Sequence, residues 1–138
     1  MIERTLSLIK PDCVSAKNAG KVIDILEKNG FLIVGMKKIK LSKEAAEGFY
    51  AVHKDRPFFK SLTDFMSEGP IVAMVLEKEN AITDYRALMG ETDSTKAKEG
   101  TLRAQFGTDI ERNAVHGSDS PDTAKFEIGY FFSELELV

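Results

Sequence analysis

Only one cysteine, Cys13, occurs in the 138 residues, and there is no tryptophan. A single thiol can form neither an intramolecular disulfide nor a thiolate zinc cluster. Cys13 reads as a small apolar residue, and a reducing, cytoplasmic setting is expected. Long hydrophobic runs are also missing. The longest, Phe31–Val34 and Ile71–Leu76, fall far short of a membrane span. Met1-Ile2-Glu3-Arg4 carries no signal-peptide pattern, so no membrane partner is expected. No excess of positive charge exists: 19 basic residues against 22 acidic ones leave a net charge of −3. That balance excludes holding duplex DNA by bulk electrostatics, and no specific nucleic-acid partner is expected. The common glycine-rich phosphate cradles are absent. Gly20-Lys21 is followed by Val22 rather than Ser or Thr, and no G-x-G-x-x-G occurs. Repeats and low-complexity segments are lacking as well. What remains is 43% hydrophobic and 30% charged, enough to bury a core in a single domain over residues 1–138.

The periodicities give an order of elements. Arg4–Ile9 alternates as a strand and is stopped by Lys10-Pro11. Val22, Ile23, Ile25 and Leu26 form a helical stripe within residues 18–29, with Gly30 at the position of a terminating glycine. Phe31–Ile39 is β-branched and apolar, a second strand. Ser42 is placed to cap a short helix through Phe49. Phe58, Phe59, Leu62, Phe65 and Met66 follow helical spacing up to Gly69-Pro70. Ile71–Leu76 reads as a buried strand, and Asn80 as the cap of a helix over Ala81–Met89. Residues 90–112 show little periodicity, and a stretch of that length inside a domain is usually functional. A short strand at Asn113–His116 then meets Ser120-Pro121, a helix start, with the helix running to about Phe132. Compressed, the order is βαββαβ: an α+β, ferredoxin-like arrangement. It predicts a four-stranded antiparallel sheet with helices packed on one face.

One segment carries chemistry. Asn113–Ser120 sets His116 between a strand end and a helix N-terminus. Imidazole is a nucleophile near neutral pH, and a helix N-terminus favours nearby anions. Gly117 is expected to leave the imidazole open to a bulky reactant. By chemistry alone, a lone histidine is more often a core or surface residue than a catalytic one.

The same segment, Asn113-Ala114-Val115-His116-Gly117-Ser118-Asp119-Ser120, resembles the active-site signature of nucleoside diphosphate kinases. Thr5–Asp12 resembles that family's N-terminal strand and lysine. Gly48-Phe49-Tyr50 and Arg56-Pro57-Phe58-Phe59 resemble its base-binding hairpin. Ser67–Pro70, Arg86–Thr92 and Gly100–Arg103 follow in the family's order and spacing, so the resemblance spans essentially the whole chain. It implies a ping-pong transfer of the γ-phosphate from a nucleoside triphosphate such as ATP to nucleoside diphosphates, through a phosphohistidine on His116, maintaining the NTP and dNTP pools.

The resemblance also implies roles. Glu127 orients the imidazole with Ser118 alongside. Arg86, Arg103 and Lys10 neutralise phosphate charge, with Lys10 between sugar and terminal phosphate. Thr92 donates a hydroxyl to the same phosphates, Tyr50 lies near the phosphate in transit, and Asn113 bonds the ribose hydroxyls. Phe58 stacks on the base, with Leu62 near it and Ile110 closing the opposite side, which predicts broad base specificity. Mg2+ is expected on the nucleotide phosphates, completed mainly by water. His53, beside Lys54 and Asp55, reads as a surface residue.

The chain departs from the family between Asp93 and Glu99, where a proline often found there is missing. The loop is therefore less preorganised in the unfolded chain. Ending at Leu137-Val138, the chain resembles the short bacterial-type members, which implies a homo-oligomer built from dimers, a tetramer or a hexamer. A rival expectation is a non-catalytic ferredoxin-like module that binds nucleotides or RNA and regulates a partner. A sheet-face RNA reader carries paired aromatics on its central strands, and Arg4–Ile9 and Ile71–Leu76 have none.

Overall fold

The computed structural model describes residues 1–138. Four strands, β1 (Ile2–Ile9), β2 (Leu32–Ile39), β3 (Ile71–Glu79) and β4 (Val115–Gly117), form one sheet in the order β2-β3-β1-β4, every neighbouring pair antiparallel. Seven helices connect and cover them: α1 (Pro11–Ser15), α2 (Ala19–Lys28), α3 (Lys43–Phe49), α4 (Phe59–Met66), α5 (Ala81–Met89), α6 (Leu102–Phe106) and α7 (Pro121–Phe131). The βαββαβ order and the ferredoxin-like α+β class are those expected.

Several boundaries follow from local chemistry. Ser42 Oγ accepts from the Ala45 N–H and starts α3. Ser120 and Thr123 satisfy each other's backbone at the head of α7, with Pro121 in the first turn. Gly30 takes a φ of +86° just past α2, a conformation that costs a residue with a Cβ. Other boundaries differ from expectation. Pro11 does not merely stop β1. It opens α1, where its missing N–H would have had no helical partner anyway. Asn80 makes no capping bond and lies at φ 55°; the head of α5 is served instead by Glu3, whose Oε1 accepts from the Ile82 N–H. The aperiodic stretch 90–112 contains α6, whose five residues are too few to show a helical period, capped by Thr101 Oγ1 accepting from the Ala104 N–H.

The expectation of helices on one face is corrected: both faces are buried. Leu6, Leu8, Ile71, Ala73 and Val75 pack under Ala46, Phe49, Phe65, Met66 and Phe131 of α3, α4 and α7. Ile9, Val72, Met74 and Leu76 pack under Val22, Leu26, Tyr85 and Met89 of α2 and α5. The unbroken apolar run of β3 is what a strand covered on both sides requires, because alternate residues face opposite layers.

The same alternation corrects the role expected of Gly117. In β4 it is His116 that faces the α3/α4/α7 layer, opposite Leu8, while Val115 and Gly117 face α5. A Cβ on Gly117 would lie 2.7 Å from Met89 Cε and 2.8 Å from the Tyr85 ring. Gly117 thus makes room for the core, not for a reactant. Gly117→Ala is expected to destabilise by about 2 kcal/mol, since the fully buried Tyr85 ring has little room to retreat. An unchanged denaturation midpoint would contradict this reading.

Candidate active site

His116 enters the site because the β1–β4 register sets it across from Leu8. Its Nε2 lies 3.0 Å from Glu127 Oε1, and Ser118 Oγ donates to the same oxygen at 2.7 Å. The Leu6 N–H in turn donates to Ser118 Oγ at 3.2 Å. Glu127 lies in α7, two turns beyond its capped start, so the cap fixes where the carboxylate stands. A carboxylate only accepts, so in the neutral imidazole the contact puts the ring proton on Nε2 and the lone pair on Nδ1. The Phe49 ring meets the imidazole edge-on at 5.5 Å and the Tyr50 ring at 6.4 Å. The Tyr50 hydroxyl is buried without a partner, and burial, reinforced by the Glu127 charge, pushes its ionisation well above the usual phenol range.

Cations converge beside this network. Lys10, at the end of β1, is only 6% exposed and donates from Nζ to Asn113 Oδ1 at 2.8 Å. Burial, with Arg103 nearby, lowers its ammonium to about 8, and the Asp12 and Glu111 charges offset part of that. Arg103 is buried too. It donates to the Gly90 carbonyl at 2.9 Å and to the Val115 carbonyl at 3.0 Å, and its Nε has no partner. Arg86 projects exposed from the last turn of α5, without an ion-pair partner. Arg86, Thr92, Arg103 and Ile110 line one cleft of about 400 Å3.

Asn113, expected at the ribose hydroxyls, also bonds within the protein. It is 1% exposed, and its Nδ2 donates to the Thr92 carbonyl at 2.9 Å and the Ile110 carbonyl at 3.1 Å. With Oδ1 accepting from Lys10, one lone pair remains for a ribose hydroxyl. A buried amide must satisfy its donors, and here they tie together the two loops that carry Thr92 and Ile110.

Phe58 stands 42% exposed at the head of α4 and Ile110 64% exposed on its loop, while Leu62 is partly buried against the core. The Arg56 guanidinium lies over the Phe58 ring at 5.7 Å. His53 is no plain surface residue: its ring centre is 5.5 Å from that of Phe58. Sequence reasoning missed the link behind this wall. Arg112 bonds both carboxylate oxygens of Glu68, at 3.1 and 3.2 Å, and lies 4.6 Å over the Phe65 ring. Ser61 Oγ donates to Glu111 at 3.0 Å. These contacts tie the Ile110 loop to α4. They join residues 44 and 50 positions apart, and no local pattern announces them.

Comparison with known proteins agrees with this geometry. The family model described as nucleoside diphosphate kinase matches residues 3–137. The nucleoside diphosphate kinase of Geobacter sp. (strain M21) is 61% identical over 137 residues, covering 99% of this chain and 100% of that one. That of Citrifermentans bemidjiense is 60% identical over the same shares. Among solved structures, the Aquifex aeolicus nucleoside diphosphate kinase superposes with a TM-score of 0.98 at 47% identity, covering 100% of both chains. A halophilic nucleoside diphosphate kinase from Halobacterium salinarum, in complex with CDP, gives 0.96 at 41% identity and covers 100% of this chain and 92% of that one. The chain therefore belongs to the nucleoside diphosphate kinase family, whose members are phosphotransferases acting on nucleotides.

Proposed function

We propose that His116 is the residue through which this kinase passes the phosphoryl group. The observation that carries the reading is the Nε2–Glu127–Ser118 chain, which occupies Nε2 and leaves Nδ1 as the ring nitrogen without a partner. The Nδ1 lone pair attacks the γ-phosphorus, and the bond from that phosphorus to the β,γ-bridging oxygen breaks. The electron pair leaves with the nucleoside diphosphate. A terminal oxygen of a second nucleoside diphosphate then attacks the phosphohistidine, and the N–P electron pair returns to Nδ1. Neither half-reaction needs an oxidant or a second cofactor turnover, and the covalent intermediate splits one hard transfer into two easier ones.

Positioning and charge neutralisation do most of the work in such transfers. Arg103 and Arg86 present planar donors to phosphate oxygens, Thr92 adds a hydroxyl, and Tyr50 donates its unpartnered O–H toward the group in transit. No three side chains of the His, Cys, Asp and Glu types cluster as a metal cage. The residues present fit Mg2+ carried on the nucleotide, with the carboxylates of Glu91 and Asp93 in the cleft available to its bound waters. Bound there, the ion would neutralise phosphate charge.

The base stacks on Phe58 near Leu62 and faces Ile110. Phe58→Ala is expected to raise nucleotide KM by about tenfold while kcat changes by less than about threefold, the loss typical of one stacked base. Steady-state kinetics with several diphosphates checks this, and a selective fall in kcat would contradict it. The module reading of an RNA-binding sheet has no support, because both sheet faces are covered by helices. We further propose one domain over residues 1–138, acting in the cytoplasm as a homo-oligomer built from dimers.

The deciding experiment uses terminally labelled ATP with magnesium. An acid-labile, base-stable phosphoprotein should form and be discharged by a nucleoside diphosphate. Absence of labelling in the wild type, or full labelling of His116→Ala, would overturn the assignment.

A further inference from the structure

Ala114, two residues before His116, has a φ of +72° although it is not glycine, and it is fully buried. The Val115 N–H donates to the Asn113 carbonyl at 2.8 Å, closing a three-residue turn around it. Such a turn with a positive central φ is rare and strained, and it persists only when its surroundings hold it. Both backbone groups of Ala114 are held from one place. Its carbonyl accepts from the Lys10 N–H at 2.8 Å, and its N–H donates to Asp12 Oδ2 at 3.1 Å.

Asp12 is costly where it stands. Its Oδ1 is buried with no partner, and burial raises its carboxyl pKa. It is the second residue of α1, whose N-cap is Lys10, and its carboxylate faces the first-turn N–H groups of Asp12 and Cys13 as well as that of Ala114. What the carboxylate does is fasten the turn. Immediately before Ala114 the turn sends the Asn113 side chain inward to Lys10, Thr92 and Ile110. Immediately after it, the chain enters β4 in the register that puts His116 opposite Leu8. Without an acceptor at position 12, the buried Ala114 N–H is orphaned and the turn is free to flatten. Flattening shifts the entry into β4 and with it His116, while three bonds of its own hold the Asn113 side chain to Lys10, Thr92 and Ile110.

We propose that Asp12 is a positioning residue for the reaction: by accepting from the Ala114 N–H it holds the strained turn 113–115 that sets His116 in its register opposite Leu8. The inference rests on the phosphohistidine reading of His116. Asp12 acts through the Ala114 backbone, and Asn113 is held by its own side-chain bonds, so Asp12 bears on the rate of histidine phosphorylation and leaves nucleotide affinity alone.

Three variants separate geometry from charge. Asp12→Asn keeps an oxygen at the same reach and loses the charge. Asp12→Glu keeps the charge and overshoots by one methylene. Asp12→Ala loses both. Single-turnover phosphorylation by ATP and magnesium is measured for each, with ADP affinity by calorimetry. Displacement of a reacting group by about an ångström costs on the order of a hundredfold, so Asp12→Ala and Asp12→Glu are expected to slow phosphorylation by about 30- to 100-fold with affinity within about threefold. Asp12→Asn should recover to within about fivefold of the wild type, because its acceptor stays in place. If Asp12→Ala fails to fold, the Asn and Glu variants still decide. A fast Glu variant beside a slow Asn variant would mean that the carboxylate acts by charge on Lys10, and the proposal falls. It also falls if all three react like the wild type, or if affinity drops as far as rate. A wild-type protein that takes up no label would refute the His116 reading instead.

Discussion

Glu127→Ala is expected to slow phosphorylation of His116 by about 10²- to 10³-fold while nucleotide KM stays within about threefold. When Nδ1 takes the phosphoryl group, the imidazole gains positive charge, and the carboxylate 3.0 Å from Nε2 is the group placed to stabilise it. Ser118, which donates to the same oxygen and is itself held by the Leu6 N–H, keeps that carboxylate still. Removing Glu127 therefore costs orientation, tautomer and charge together. Glu127→Gln keeps an acceptor and loses the charge, so it should fall between the wild type and the alanine variant. Rapid-quench measurement of the first half-reaction gives the answer. A loss below about fivefold in the alanine variant would leave Glu127 as ordinary helix surface.

Lys10→Met is expected to separate stability from activity. Lys10 has its ammonium lowered from 10.5 to about 8, chiefly by burial. The folded state therefore disfavours the charged form, and the wild type carries a penalty that is fully present below about pH 8. The penalty shrinks as pH rises from 8 and vanishes above 10.5, where the unfolded chain also loses its proton. The size of the lowering corresponds to about 3 kcal/mol at neutral pH. Loss of the Nζ bond to Asn113 leaves a buried acceptor and takes back about 1 to 2 kcal/mol. Lys10→Met should thus stabilise the unliganded protein by about 1 to 2 kcal/mol at pH 7; the gain should vanish near about pH 9.5 and become a loss of about 1 to 2 kcal/mol above about pH 10.5, where only the missing bond to Asn113 counts. Transfer activity should fall by at least about 100-fold, because the charge we propose for the terminal phosphate is gone. Denaturant titrations at several pH values, paired with turnover assays, test both arms. A methionine variant that is less stable at pH 7 would contradict the burial argument.

Much of the fold is legible because its signals are local. Ser42, Gly30 and Ser120-Pro121 end or begin helices through bonds to residues within four positions, so spacing alone finds them. The unbroken apolar run Ile71–Leu76 also foretells a strand, and read strictly it foretells cover on both faces. The analogy to an open-faced ferredoxin-like sheet obscured that second layer. Asn80 misleads because a distant residue, Glu3, supplies the helix cap that its own side chain does not. In the site, His116, Lys10, Arg86 and Arg103 are findable through a motif. The partners that position them, Asp12 on Ala114 and Arg112 on Glu68, bridge 102 and 44 residues, and only the folded chain brings them together. The local net charge follows the same logic. A chain of net −3 still brings Arg86, Lys96 and Arg103 to one cleft, since the sum over a surface says nothing about the field at a point.

The strand that holds His116 is only three residues long, yet it pairs with β1, an inner strand flanked on both sides. The stretch that ends on Phe58, residues 54–58, is exposed throughout. The proposed histidine and base ends of the site therefore differ in kinetic character. Amide protons around β1 exchange with solvent only through deep opening, while those near Phe58 exchange through small local fluctuations. On the proposed reading, a nucleobase is admitted and released by microsecond adjustments near Phe58, and the histidine stays in register throughout.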